Sequence, residues 1–274
     1  MSNRTTSSFL YSLPLAAALA FIPSSVATAQ HATPPAHPHT ATPVATPAST
    51  SAATTQTMTP ASIPVTPEDA LLRLIEGNER FVNGKMRVVD YKQERAKLLT
   101  SQHPYAIVLA CSDSRVPTEI LFDEALGRLF VIRVAGNVID EVVLGSIEYA
   151  AKHLNTKLLL VLGHESCGAV KAAVAGGHLT PNIDKLIEHI AVPVRTVRAR
   201  HKDEKTVLDD AIMENVQFQM LDALKSSSVL AEMVAHKHLR IVGGVYDLHT
   251  GKINFIGEAV PTTKPTAQAA SASK

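Results

Sequence analysis

Residues 105–117 read YAIVLACSDSRVP. Tyr105–Ala110 is an apolar run of strand length, and the next five residues present a thiol (Cys111), a carboxylate (Asp113) and a guanidinium (Arg115). A second run, Lys157–Leu162 (KLLLVL), leads in the same way into Gly163-His164-Glu165-Ser166-Cys167-Gly168. Cys111 and Cys167 are the two cysteines of the chain, and each follows one of these runs. Short continuous apolar runs bounded by polar turn residues read as strands buried on both faces. In sheets of that kind functional groups gather beyond the carboxyl ends of strands, where strand order switches.

Working outward, strands and helices alternate. Leu129–Val134 (LFVIRV), Leu239–Val245 and Lys252–Gly257 complete an expected set of five strands. Helices are expected over Val142–Leu154, Ser166–Ala175, Ile183–Arg200 (interrupted or bent at Pro193), Lys205–Leu224 and Val229–His238. In Lys205–Leu224 an apolar residue recurs every fourth position, at Leu208, Ile212, Val216, Met220 and Leu224, the pattern of an amphipathic helix. Upstream, Thr66-Pro67-Glu68-Asp69 is a helix start: a capping threonine, proline at the first position, acids in the first turn. That helix is expected to reach about Phe81, with a second short helical segment over Tyr91–Thr100. The fold class that results is α/β, a mainly parallel sheet of about five strands with the last antiparallel, covered by helices.

The ends of the chain differ from its middle. Arg4 is the single charged residue before Glu68. It precedes an apolar stretch, Phe9–Ile22, and then Ala27-Thr28-Ala29, which together read as a secretory leader over 1–29 cleaved after Ala29. The stretch is shorter than the ~20 residues of a spanning helix and contains Pro14. Residues 30–67, rich in Pro, Thr, Ala and Ser, read as a disordered linker whose His31, His37 and His39 are polar residues of a solvated tether. Residues 68–260 form the expected domain and 261–274 a disordered tail. The mature protein is accordingly expected in the periplasm or secreted, with no membrane attachment after cleavage.

Charge balance excludes some partners. The net charge is +1, and without Arg4 the basic and acidic residues are equal in number. No electrostatic case exists for nucleic acid or an anionic membrane. The chain has no tryptophan and few aromatic residues to stack on bases.

Zinc takes thiolate sulfur, imidazole nitrogen and carboxylate oxygen, usually four in a tetrahedron. Cys111, His164 and Cys167 offer three such donors, with water or Asp113 for the fourth position. Two buried core thiols, or a Cys111–Cys167 disulfide, are the alternatives. Neither accounts for the Asp113, Arg115 and His164 beside the cysteines.

The two segments resemble those of the beta-class carbonic anhydrases: Cys111-Ser112-Asp113-Ser114-Arg115-Val116-Pro117 and Gly163-His164-Glu165-Ser166-Cys167-Gly168. Phe130–Asn137 resembles that family's second-strand segment and Ser146–Ala150 the helix before its third strand, so the likeness spans roughly 67–260. The resemblance implies one Zn2+ per subunit held by Cys111, His164 and Cys167, and reversible hydration of carbon dioxide to bicarbonate. It implies that Asp113 and Arg115 form a dyad orienting the zinc-bound oxygen, with Asp113 a fourth ligand in a closed state. Gln102, Phe130 and Tyr149 match substrate-pocket residues of the plant-like, accessible-site subgroup. In the bicarbonate-regulated subgroup a tryptophan stands where this chain has Val108. The resemblance also implies a homodimer or multiple of dimers, in which Gln102, Phe130 and Tyr149 serve a neighbouring subunit's pocket. His153 matches a position that holds histidine in some members and is a candidate proton relay. Gly168 and the start of the following helix suit an anionic product. Arg133-Val-Ala-Gly-Asn137 departs from the commoner Arg-Asn-Val-Ala-Asn.

Two thiolates cancel the ion's charge, so its water is expected to be less acidic than the ~7 reached with three imidazoles, and activity to rise into mildly alkaline pH. A hydrolase of COS or CS2 on the same fold would need a longer or narrower entry tunnel, and no inserted segment is there to build one. A zinc-binding domain without activity predicts a damaged dyad or loss of Gln102, and all are present. A thiol–disulfide protein usually carries a close C-x-x-C pair, absent here.

Overall fold

The computed structural model describes residues 66–201 and 203–259. The expected leader over 1–29, the linker as far as residue 65 and the tail over 261–274 lie outside the described residues. The first helix starts where Thr66-Pro67-Glu68-Asp69 placed it. Thr66 caps helix α1 (Pro67–Val82), accepting from the Asp69 N–H at 3.0 Å while the Asp69 carboxylate accepts from the Thr66 N–H at 3.3 Å. Pro67 is therefore helical; its missing N–H is no loss in the first turn.

Five strands form one sheet: β1 (Ala106–Ala110), β2 (Leu129–Arg133), β3 (Leu158–His164), β4 (Arg240–Tyr246) and β5 (Ile253–Ala259). Their order is β2-β1-β3-β4-β5. The first four are mutually parallel and β5 runs antiparallel to β4, as expected. β1 and β3 lie inside the sheet, and every residue of both is buried, which is why neither shows a polar alternation.

Alternate residues of these strands feed two cores. Ile107, Leu109, Leu159 and Val161 pack with Ile147 of α4 (Glu141–His153), with Val216 and Met220 of α7 (Glu204–Ser226) and with Leu230 of α8 (Ser228–Ala235). Ala106, Val108, Leu158 and Leu160 pack with Ala70 and Leu74 of α1 and with Leu121 of the short α3 (Thr118–Leu121). Beyond the carboxyl ends of β1 and β3, a third core joins α5 (Gly168–Ala175), α6 (Pro181–Arg200) and α7 around Cys111 and Cys167.

Several elements differ from the sequence expectation. α2 (Tyr91–Lys97) stops short of Thr100. β3 extends through Gly163 to His164, so the histidine is the last strand residue rather than the first after it. α5 begins at Gly168 with Cys167 as its cap, not at Ser166, which has φ 53°. α3 and a 3-10 turn at Ala135–Asn137 were not expected.

α6 runs unbroken through Pro193. A helical proline leaves the carbonyl four residues back without its donor. Here that carbonyl belongs to His189, and the buried Gln219 of α7 donates Nε2–H to it at 3.3 Å. The side chain of a neighbouring helix thus replaces the missing N–H. α7 is also less one-sided than its four-residue apolar repeat implied. Val207, Ala211, Asn215, Gln219 and Ala223, one position before that repeat, are buried as well, because α7 is enclosed by α5, α6, α8 and the sheet.

α1 is bound to the segment after α3 by charge. Arg73 pairs with Glu124 (2.6 and 2.9 Å), while Arg80 and Arg87 both meet Asp123 (2.6 and 2.9 Å). Glu124 also accepts from Tyr105 Oη at 2.9 Å. Two carboxylates this deeply buried persist because each is shared by several donors.

Candidate metal centre

The sheet register brings the two cysteine segments together. Ala110 pairs with Leu162, so Cys111 leaves β1 level with Gly163 and one residue short of His164. Between β1 and its neighbours the strand order reverses, since β2 lies on one side of β1 and β3 on the other. The crevice at such a switch point is open to loops from both strands. The side-chain donor atoms of Cys111, His164 and Cys167 all lie within 4.8 Å of one another, and all three residues are buried.

His164 has its tautomer fixed. Nδ1 lies 2.8 Å from the Glu165 carbonyl, which can only accept, so Nδ1 carries the proton and Nε2 presents a lone pair. That Nε2 is buried without a hydrogen-bond partner. A buried imidazole nitrogen left in this way is costly in an apolar site. Beside two cysteine sulfurs, it is the arrangement a metal ion completes. The donor set of two sulfurs and one imidazole, jacketed by Val138, Val170 and Ile190, fits zinc.

The sulfurs are unequal. The Cys111 thiol is drawn down from its ordinary range by the adjoining Cys167 thiol first, against burial, then by the nearby His164 ring and by the Gly136 N–H that donates to its sulfur at 3.3 Å. The Cys167 thiol is pushed up because its neighbour takes the negative charge and burial disfavours a second one. A dication held there would remove that competition, since both sulfurs could then ionise against it.

Asp113 and Arg115 form a fork. Arg115 Nε donates to Oδ1 at 2.9 Å and a terminal nitrogen to Oδ2 at 2.7 Å, and the Arg115 backbone N–H adds a third bond at 3.0 Å. The Arg115 guanidinium holds the Asp113 carboxyl well below the usual carboxylate range. Asp113 Oδ2 comes within 3.9 Å of His164 Nε2, yet Asp113 stands outside the set of three clustered donors. Gly168 follows directly as the first residue of α5, with open space where a side chain would stand.

The other expected residues lie elsewhere in the chain. Gln102 is exposed in the segment that enters β1 at its amino end, while Cys111 leaves the carboxyl end. Phe130 pairs with Ile107, three strand positions before Ala110, or roughly 10 Å along the sheet. Its ring lies 6.3 Å from that of Tyr149, which in turn lies 5.4 Å from His153. Within one chain, Phe130, Tyr149 and His153 thus form a second group, with Tyr149 and His153 in an open groove along α4 beside Gly145, Glu148 and Lys152. They do not join the cysteine cluster.

Four residues at the cluster were not singled out from sequence for the contacts they make. Arg133, at the end of β2, donates to the carbonyls of Cys111 (3.1 Å) and Asp113 (2.5 Å) and so holds the loop between them. Gly136, with φ 72°, turns its N–H onto Cys111; a side chain there would press within 2.7 Å of Ile190 Cδ1. The departure from the commoner family pattern therefore puts glycine where a left-handed residue is needed. Asn215 and Gln219 reach this loop from α7. Their signal in the sequence is two amides four residues apart, one position off the apolar repeat. A further trio, Glu165, Asp247 and His249, also brings donors within 4.8 Å, but its carboxylates accept the backbone N–H groups of residues 248, 249 and 250 at the β4–β5 turn.

A family model described as carbonic anhydrase matches residues 106–253. The chain is similar to carbonic anhydrase 2 of Mycobacterium tuberculosis, 41% identical over 212 residues that cover 71% of this chain and 98% of that protein. A carbonic anhydrase of Mycolicibacterium smegmatis is 38% identical over 200 residues, covering 72% and 95%. Among solved structures, the beta-carbonic anhydrase CcaA superposes with a TM-score of 0.57 at 26% identity, over 72% of this chain and 94% of that one. One of two tetrameric beta-carbonic anhydrases from Sordaria macrospora gives 0.53 at 27% identity, over 61% and 90%.

Proposed function

The chain belongs to the beta-class carbonic anhydrases, and from that membership we propose that it hydrates carbon dioxide at a zinc ion held by Cys111, His164 and Cys167. It is a carbonic anhydrase enzyme, so carbon dioxide and bicarbonate are its substrate pair. The zinc reading rests on the buried, unpartnered Nε2 of His164 beside two sulfurs. Zinc bound there supplies a Lewis acid that makes a water molecule nucleophilic near neutral pH.

The remaining work falls to the chain's own residues. Asp113, kept ionised by the Arg115 fork, accepts a hydrogen bond from the attacking oxygen and orients its lone pair. Because both carboxylate oxygens are engaged by Arg115, Asp113 is held back from serving as a fourth ligand, and the site is of the accessible kind. The exposed start of α5 at Gly168 offers its positive end to the anionic product. The apolar jacket keeps bulk water from the sulfurs.

Gln102, Phe130 and Tyr149 lie apart from this cluster within one chain, which supports a homodimer, or a multiple of dimers, in which they complete a neighbour's pocket. His153, exposed and beside Tyr149, is positioned for proton relay in such an assembly. The mature chain, freed of residues 1–29, works in the periplasm or outside the cell; the N-terminal mass of the exported protein reads this directly.

The decisive experiment is zinc analysis with stopped-flow carbon dioxide hydration against pH on the full mature chain. One zinc per chain and a rate rising into mildly alkaline pH are expected. A chain that hydrates carbon dioxide at full rate without metal, or that binds zinc in a Cys111→Ser/Cys167→Ser double variant as well as before, would overturn the reading.

A further inference from the structure

The loop from Val134 to Ile139 carries two left-handed residues, Gly136 (φ 72°) and Asn137 (φ 46°), and pairs only part of its own backbone, the Asn137 N–H donating to the Val134 carbonyl at 3.0 Å in the 3-10 turn. Residues 136–139 are nevertheless buried, so their remaining groups need partners. Two side chains of α7 supply them. Asn215 Nδ2 donates to the Gly136 carbonyl at 2.8 Å, and Gln219 Oε1 accepts from the Ile139 N–H at 2.8 Å. Gln219 Nε2 donates to Asn215 Oδ1 at 3.1 Å and to His189 of α6 at 3.3 Å, so the two amides brace each other. Both residues are fully buried. From the same peptide stretch, the Gly136 N–H points the other way, onto Cys111 Sγ at 3.3 Å.

α7 cannot drift beneath this loop. It lies against Gly163 and Gly243, where an added Cβ would come within 2.6 Å of Val216 Cγ2 and 2.5 Å of Met220 Sδ. Gly163 immediately precedes His164. The helix that carries the amides is therefore seated on the strand that carries one donor, and it holds the loop that bonds another.

We propose that Asn215 and Gln219 are positioning residues of the metal centre, which through Gly136 fix the hydrogen bond to the Cys111 sulfur and so set how firmly that sulfur holds the ion. The proposal rests on the reading that Cys111 is a zinc ligand. A sulfur that accepts an N–H bond shares its electron density between that bond and the metal. Loss of the bond alters the metal–sulfur bond without touching either atom.

The test uses the full mature protein carrying Asn215→Asp, which keeps an oxygen for Gln219 but sets a second oxygen against the Gly136 carbonyl. Asn215→Ser is a milder companion, and Ile147→Val, in the core on the α4 side, is a control for lost stability alone. Two quantities are read: the rate of zinc release to excess chelator, and the energy of the sulfur-to-metal absorption band after cobalt replacement. Both Asn215 variants are expected to release zinc about tenfold faster or more and to shift the band, with the control unchanged in both. Wild-type release and band position in a folded Asn215 variant would overturn the proposal. So would failure of both variants to fold, which would mark the amides as supports of the fold rather than of the site. A wild-type chain that holds no zinc would overturn the zinc reading itself, and this proposal with it.

Discussion

Asp113 shows how much of a residue's role is set by its neighbour. Alone after a strand it would be an ordinary carboxylate, free to ligate any cation within reach. With Arg115 closing on both oxygens, it stays ionised and is held in one orientation. Asp113→Asn preserves size but removes the charge that accepts the hydrogen bond. Zinc content is expected to stay at one per chain while carbon dioxide hydration falls roughly a hundredfold; full activity at normal zinc content would remove Asp113 from the mechanism. At this scale the sequence was highly legible. Cys111, Asp113, Arg115, His164 and Cys167 come from two short segments, and chemistry of that kind at strand ends has few other uses. Arg133 was harder to read, because an arginine ending an apolar strand looks like a solvated edge until its two carbonyl partners are seen.

Among the elements, α1 was legible from its own first turn, while the unbroken course of α6 was not. The capping signature of α1 is local: Thr66 and Asp69 satisfy one another within a single turn, and Pro67 between them has no N–H to satisfy. What α1 packs against is not local. Gly77 lies so close to the Phe122 backbone that an added Cβ would overlap the carbonyl oxygen at 1.9 Å. Backbone cannot rotate aside as a side-chain tip can. Gly77→Ala is therefore expected to destabilise the chain by about 3 kcal/mol, although alanine is the better helix former. Urea unfolding measures this, and an unchanged or raised midpoint would mean that α1 is not seated as described. Pro193 teaches the opposite lesson. Proline forecasts a break from local chemistry alone, and the break is averted by Gln219, twenty-six positions along the chain.

For the whole molecule, the buried charge network joins the N-terminal helix to the sheet and to the segment that leaves the site. Tyr105, 2% exposed, is part of it through its bond to Glu124. Burial, and then the Glu124 charge, push its phenol well above the ordinary range. The folded chain therefore retains a proton that the unfolded chain, with a phenol pKa of ~10, gives up in alkali. This contribution to stability is complete below about pH 10 and declines as pH rises past it. Tyr105→Phe should lose about 1 kcal/mol at neutral pH and show a shallower fall in urea midpoint between pH 9 and 11. Parallel slopes for variant and wild type would contradict this placement of Tyr105.

The sequence by itself determined the strand–helix alternation, the layered sheet and the three residues, Cys111, His164 and Cys167, whose sulfur and imidazole donors cluster. These follow from short-range facts: apolar run length, capping chemistry, and donor types two or three residues apart. Tertiary structure alone decided which groups are shared between distant segments. The β1–β3 register made one cluster of Cys111 and His164, and the enclosure of α7 made buried supports of Asn215 and Gln219, one position off the apolar repeat. It also separated Phe130 and Tyr149 from the cysteines within one chain. The physical reason is the same in each case. A buried polar group must find a partner wherever the fold brings one, and sequence distance does not enter that requirement.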